Sequence, residues 1–195
     1  MKKKKTTKIR ENITETEYQK LLIYLNGKEN LTSNTKNNLK RTFILLYFTG
    51  MRINEVKQLK VKDIYTIFEI EELIILCHKT KKERKLFFSK EAIKQIKKHF
   101  IFADNSKDED FIIIVKGDTS KTPSNSTFIS KVNSFIQEVL GHRYSSHSFR
   151  AGIITDMAKS INPKFIKEFI GHSDIKTTMR YIRPTSEDLK ACLVR

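Results

Sequence analysis

The stretch from Ser146 to Pro184, SHSFRAGIITDMAKSINPKFIKEFIGHSDIKTTMRYIRP, constrains this chain more than any other. His147 and Arg150 stand three apart at the head of a run with apolar positions Ile153, Ile154, Met157 and Ala158. On a helix that spacing puts an imidazole and a guanidinium on one face, about one turn apart. Phe165, Ile166, Phe169 and Ile170 predict a second, short helix, opened by Pro163 and stopped by Gly171. His172 follows the stop, and Ser173 or Asp174 can cap a third helix carrying Tyr181. Two proton carriers, an arginine and a phenol therefore lie on short helices folded tightly together. Such a set suits covalent chemistry on a phosphate.

Charge points the same way. The chain carries 38 Lys and Arg against 22 Asp and Glu, a formal net charge of +16 over 195 residues. A surplus of that size in a small domain marks a polyanion partner, usually nucleic acid. The plainer reading is a solubility feature of a lysine-rich proteome. The length suits one domain with a real core. Cys77 and Cys192 are too few for a disulfide framework and lack metal-like spacing, so we expect a reduced, cytoplasmic chain. The N-terminus, MKKKKTTKIRENITE, is basic but has no apolar region after it, and no apolar run reaches the ~18 to 20 residues of a membrane span.

Along the chain, residues 1–12 read as a basic arm without structure of its own. Thr14 and Glu17 form a capping-box pattern ahead of Tyr18, Leu21, Leu22 and Leu25, with a stop at Gly27. A second helix carries Leu39, Phe43, Leu46 and Tyr47 and ends at Thr49-Gly50. Arg52 opens a third, with Glu55 one turn on and Val56 and Leu59 facing the core. An arginine in a first turn opposes the helix dipole. It is either a surface partner of Glu55 or part of an anion site.

Three β-prone segments follow: Ile64 to Ile70, Leu73 to His78 and Lys85 to Phe88. They predict a small three-stranded antiparallel sheet whose basic turn, Lys79 to Arg84, forms a hairpin tip. Ser89 caps a further helix with Ala92, Ile93, Ile96 and Phe100. A short apolar segment (Phe111 to Val115) and a loop (Lys116 to Asn125) then precede the clearest amphipathic helix, carrying Phe128, Ile129, Val132, Phe135, Ile136 and Val139 and stopped by Gly141. The fold class is mostly α with that small sheet (α+β). Among chemical motifs, Gly117-Asp-Thr-Ser-Lys121 lacks the end of a phosphate-binding loop. His142, His147 and His172 have no metal-site spacing.

Four boxes in order, TGMRINEVKQLKVKDI (49–64), HKTKKERKLFF (78–88), HSFR (147–150) and IGHSDIKTTMRYI (170–182), resemble the catalytic domain of the tyrosine site-specific recombinases, the phage integrase family. The resemblance runs from about residue 14 to 184. The tyrosine falls nine residues after the Gly-His histidine. The chain departs from the pattern at Asn54, where a small Ser or Ala is usual. It also has a few extra residues between Asp63 and the hairpin, and no glycine flanks Lys79.

The resemblance implies a role for each matching residue. Tyr181 attacks a DNA phosphodiester and forms a 3′-phosphotyrosyl ester. Arg52 and Arg150 hold the non-bridging oxygens, Lys79 protonates the departing 5′-oxygen, and His147 and His172 move the tyrosine proton and bond the phosphate. Glu55 orients an arginine or imidazole. Lys81, Lys82, Arg84 and Arg143 are the expected DNA contacts, and Lys81 or Lys82 could take the hairpin-lysine role. No metal, ATP or other cofactor is required. The implied partners are double-stranded DNA at specific sites and further copies of the chain in a tetramer.

Residues 13–184 form the implied catalytic domain. The tail, 185–195, carries Leu189, Leu193 and Val194 and packs in cis or docks on a neighbour. From the resemblance we expect either a short Fim-type invertase-like form without the family's N-terminal clamp domain or an excised catalytic domain. Inversion, integration, excision and dimer resolution all stay open. The competing readings are a DNA-binding relative that does not cut, a type IB topoisomerase-like relaxing enzyme, and a basic RNA-binding module.

Overall fold

A computed structural model describes residues 11–77, 82–182, 186 and 190. Its elements are α1 (Glu15–Gly27), α2 (Ser33–Thr49), α3 (Ile53–Val56), α4 (Val61–Ile70), β1 (Glu72–Cys77), β2 (Lys82–Phe87), α5 (Lys90–His99), α6 (Asn125–Leu140), α7 (Ser146–Met157), α8 (Pro163–Ile170) and α9 (Ile175–Met179). Most starts follow local capping chemistry. The Glu17 carboxylate accepts from the Thr14 N–H at the head of α1, and the Ser89, Ser124 and Asp174 side chains cap α5, α6 and α9.

Helix α2 is the spine. Leu39, Phe43, Ile44, Leu45 and Leu46 are buried on it, and α1, α5 and α7 pack around it. A helix buried nearly all round must also satisfy its polar side chains. Asn38 does so by donating to the Ile114 carbonyl (2.8 Å) and accepting from the Ile114 N–H (3.2 Å). Arg41 donates to the carbonyls of Ile112 (2.9 Å) and Ile101 (3.0 Å), its guanidinium 5.6 Å and 5.1 Å from the Phe100 and Phe102 ring centres. These bonds stitch the irregular stretch 100–124 onto α2. Phe111 to Val115 accordingly forms isolated bridges, Lys60 to Phe111 and Val115 to Asp118, not a strand.

The expected three-stranded sheet is corrected to two strands. β1 and β2 pair antiparallel, with Glu72 opposite Phe87 and Cys77 opposite Lys82. The segment Ile64 to Ile70 belongs to helix α4. Its Ile, Tyr and Phe content favours a strand, but Val61, Ile64 and Ile67 recur every third residue and are all buried. Asp63 accepts from the Lys60 N–H at 2.8 Å and starts the helix. Packing and capping override the weak strand preference. The helix ends on Glu71 at φ 59°, a left-handed position that turns the chain directly into β1.

Residues 11–13 lie across α7. The Ile13 N–H donates to the Ser148 carbonyl (3.1 Å) and Asn12 to Thr155 (3.0 Å). Glycine is needed where they cross: a Cβ on Gly152 would sit 2.4 Å from the Ile13 carbonyl oxygen. Ile154, Ile166 and Ile170 form a second, smaller apolar cluster that seats Tyr181 and Ile182 against α7 and α8.

Candidate active site

The C-terminal end of α8 organises the site. A helix leaves its last carbonyls without partners inside the helix, and they carry the negative end of its dipole. Here three consecutive carbonyls accept from three arginines on three different elements. Arg84 of β2 donates to Phe169, Arg150 of α7 to Ile170, and Arg52 to Gly171 at 3.4 Å. The stop at Gly171 (φ 72°) makes this possible by turning the chain sharply after Ile170. Arg150 also donates to the Gly50 carbonyl at 2.8 Å. Gly50 is the left-handed end of α2 (φ 60°) and sits so close to α7 and α8 that an added Cβ would be 2.9 Å from Ile153.

Arg52 stands at the cap position of α3, where both readings of its role meet. It does pair with Glu55, Nη1 to Oε1 at 2.9 Å, and its backbone N–H donates to Oε2 at 2.8 Å. Yet Glu55 is no surface partner. It is buried and takes a second cation, Arg84 Nη2, at 2.8 Å. The Arg52 side chain keeps 30 % of its surface open to a cleft lined by Asn54, Ile129, His147 and Arg150.

Two guanidiniums, Arg52 and Arg84, therefore pair with one carboxylate, and a third, Arg150, feels its charge. Burial alone would raise the Glu55 carboxyl, but the Arg84 charge, the Arg52 N–H and the Arg52 charge outweigh it and hold the group below the ordinary carboxylate range. Arg150 is pushed down by burial and then by Arg52 and Arg84, with Glu55 and Tyr181 opposing. Burial, followed by Arg150, Arg52 and Arg84, lowers His172 to about 4. Its imidazole is neutral at physiological pH and can accept a proton or share one in a hydrogen bond. Nδ1 lies 2.9 Å from the buried Thr178 hydroxyl, which orients the ring. The cluster as a whole holds positive charge in excess, ready for an anion.

Tyr181 falls in the turn just beyond α9, not on that helix as the sequence predicts. Its ring stacks beside His172, centres 6.3 Å apart and planes 19° from parallel. His147, exposed in the first turn of α7, faces the cleft shared with Arg52 and Arg150. Glu55, Arg52, Arg150, His147, His172 and Tyr181 are thus brought into one neighbourhood.

Lys79 and Lys81 lie outside the described residues. Lys82 opens β2 and is exposed. Arg143 is exposed and pairs with Glu11 at 2.8 Å. Arg84 is corrected: it belongs to β2, not to a solvent-facing turn, and its side chain is only 4 % exposed. Its strand register explains this, because Arg84 and the fully buried Leu86 share the inward face. That period of two, with Arg84 and Leu86 inward and Lys85 outward, marks a strand and not a turn. Among the described residues, no cluster of three or more His, Cys, Asp or Glu could hold a metal ion, and no helix is long and apolar enough to cross a membrane.

Comparison with known proteins places this fold in a family. The phage integrase family profile matches residues 11–188. The tyrosine recombinase XerD of Rickettsia conorii is 26% identical over 177 residues, covering 77% of this chain and 53% of that protein. Tyrosine recombinase XerA of Pyrococcus furiosus is 26% identical over 153 residues, covering 78% and 52%. The chain spans about half the length of these curated relatives.

Among solved structures, the crystal structure of XerA recombinase superposes with a TM-score of 0.66 at 16% identity, covering 93% of this chain and 63% of that one. The XerH recombinase bound to palindromic difH substrate, a post-cleavage complex, gives 0.66 at 18% identity, covering 95% and 53%. The catalytic domain of bacteriophage HP1 integrase gives 0.58 at 16% identity and covers 94% of both chains. This chain belongs to the phage integrase family.

Proposed function

We propose that the protein is a site-specific DNA recombinase that cuts and rejoins strands through a 3′-phosphotyrosyl intermediate. The observation that carries this reading is the convergence of Arg52, Arg150 and His172 on the end of α8, with the Tyr181 ring stacked beside that histidine. Phosphoryl transfer asks a protein mainly to position groups and neutralise developing charge. Planar guanidinium forks suit that task, since each can address two non-bridging oxygens.

In the step itself, the Tyr181 oxygen attacks phosphorus and the P–O5′ bond breaks. The phenol proton passes toward the histidines, with neutral His172 able to receive it. The departing 5′-oxygen takes a proton from the hairpin lysine, Lys79, with Lys81 or Lys82 as the neighbouring choices. The ester conserves the bond energy, so the released 5′-hydroxyl, or one from another strand, can reverse the step. Double-stranded DNA is the partner, consistent with the net charge of +16. Strand exchange between two sites further requires a tetramer, with residues 185–195 available to dock on a neighbouring copy.

A nicked suicide duplex tests the reading. Loss of a short fragment traps the covalent adduct in wild-type protein, and Tyr181→Phe gives none. Wild-type protein that binds DNA without ever forming the adduct is a non-cutting binder, and the proposal fails.

A further inference from the structure

Arg84 is an expected DNA contact, yet its side chain is almost fully buried. Its Nη2 holds Glu55 at 2.8 Å, its Nη1 holds the Phe169 carbonyl, and its aliphatic stem fills the space beneath Gly171. A Cβ added to Gly171 would lie 2.8 Å from Arg84 Cδ. Each of these neighbours supports a group of the candidate site. Glu55 holds both the guanidinium and the backbone N–H of Arg52. The turn at Gly171 presents His172 and supplies the carbonyl that Arg52 reaches. Arg84 is thus the strut from the sheet that joins α3 to the end of α8.

We infer that Arg84 is a positioning residue for the cleavage step. It fixes Arg52 through Glu55, and His172 through the α8 end, without contacting DNA. The inference rests on the proposed recombinase reading, so wild-type adduct formation on the suicide duplex is established first. Its absence would sink that reading and this inference with it, whereas a wild-type adduct that Arg84→Met leaves unchanged sinks this inference alone.

The test compares Arg84→Met and Arg84→Lys with Lys85→Met, an exposed neighbour on the same strand that pairs with Glu72. Three quantities are measured for each: adduct rate at saturating DNA, DNA affinity as a function of salt, and the His172 titration by NMR in free protein. For Arg84→Met we expect the adduct rate to fall about 10²-fold, as for a lost oxyanion donor. Affinity and salt slope stay at wild-type values. The His172 titration moves up, because one of the cations near it (Arg52, Arg84, Arg150) is gone while Glu55 and Tyr181 remain. Arg84→Lys keeps the charge but not the fork, so it recovers the titration more fully than the rate. Lys85→Met changes neither.

A loss of affinity with a salt slope reduced by about 1 makes Arg84 a DNA contact and overturns the inference. So does an unchanged adduct rate accompanied only by a lower Tm. Should Arg84→Met fail to fold, Arg84→Lys and Gly171→Ala, which crowds the Arg84 stem, carry the same measurements.

Discussion

Two regions of this molecule bury arginines against backbone carbonyls, and they do so to different ends. On α2, Arg41 bonds the carbonyls of Ile112 and Ile101 between two phenylalanine rings, and burial alone lowers its pKa. At the end of α8, Arg150 bonds the carbonyls of Gly50 and Ile170, but Arg52 and Arg84 lower it further. The bonds are the same in kind. What differs is like charge gathered around too few carboxylates. The α2 seam seals an irregular segment, whereas the α8 end stores repulsion, which an incoming phosphate would relieve in the proposed reaction. Clustering of charge, more than burial of charge, marks the functional region.

Parallel substitutions can break this comparison. With Arg150→Gln we expect the rate of adduct formation to drop by about 10² to 10³. Stability should fall less than at Arg41 even though Arg150 is the more buried (4% against 9% exposed), because repulsion is removed along with the bonds. Arg41→Gln leaves one carbonyl unsatisfied and should cost about 1–3 kcal/mol by chemical denaturation. Its folded fraction keeps the wild-type cleavage rate. If the two variants lose stability and activity in the same proportion, the distinction between seam and site is wrong.

His172 sharpens the electrostatic half. Its folded pKa, about 4, lies below the ordinary 6.5, so the unfolded chain binds the extra proton first. The histidine therefore costs stability as pH falls from about 6.5 toward 4, with no further loss below the folded value. His172→Gln should flatten that part of a Tm-against-pH curve. Bound phosphate or DNA should raise the His172 titration by offsetting Arg52, Arg84 and Arg150. A titration that ignores the anion would show that the guanidinium excess is not aimed at one.

The smallest effect belongs to the surface. The Arg143–Glu11 pair is exposed, and Arg143→Ala should change stability by less than ~1 kcal/mol. If Arg143 meets a DNA phosphate, the same variant lowers the salt slope by about 0.9 while leaving the adduct rate at saturating DNA unchanged.

Much of the helical frame was legible in short-range patterns. Thr14 with Glu17, Ser89, Pro163 with Gly171, and the Phe128 to Val139 stripe all mark elements found where the sequence puts them. Beside Tyr181, which falls just past its helix, two segments differ from expectation for identifiable reasons. Ile64 to Ile70 is rich in strand-prone side chains, but the period of three that buries Ile64 and Ile67 makes it part of α4. Arg84 sits in a run of lysines that looks like a solvated tip, and only its pairing register with β1 turns it inward. The assembled α8 end was not legible at all.

The sequence alone determined which residues can start, stop and line each helix, because caps and periodicity act over a few residues. Tertiary structure alone decided which guanidinium meets which carbonyl. Those bonds span 85 residues from Arg84 to Phe169, 100 from Arg150 to Gly50 and 119 from Arg52 to Gly171. Donors so distant in sequence meet only once packing of α2, α7 and α8 has fixed where the open end of one short helix points.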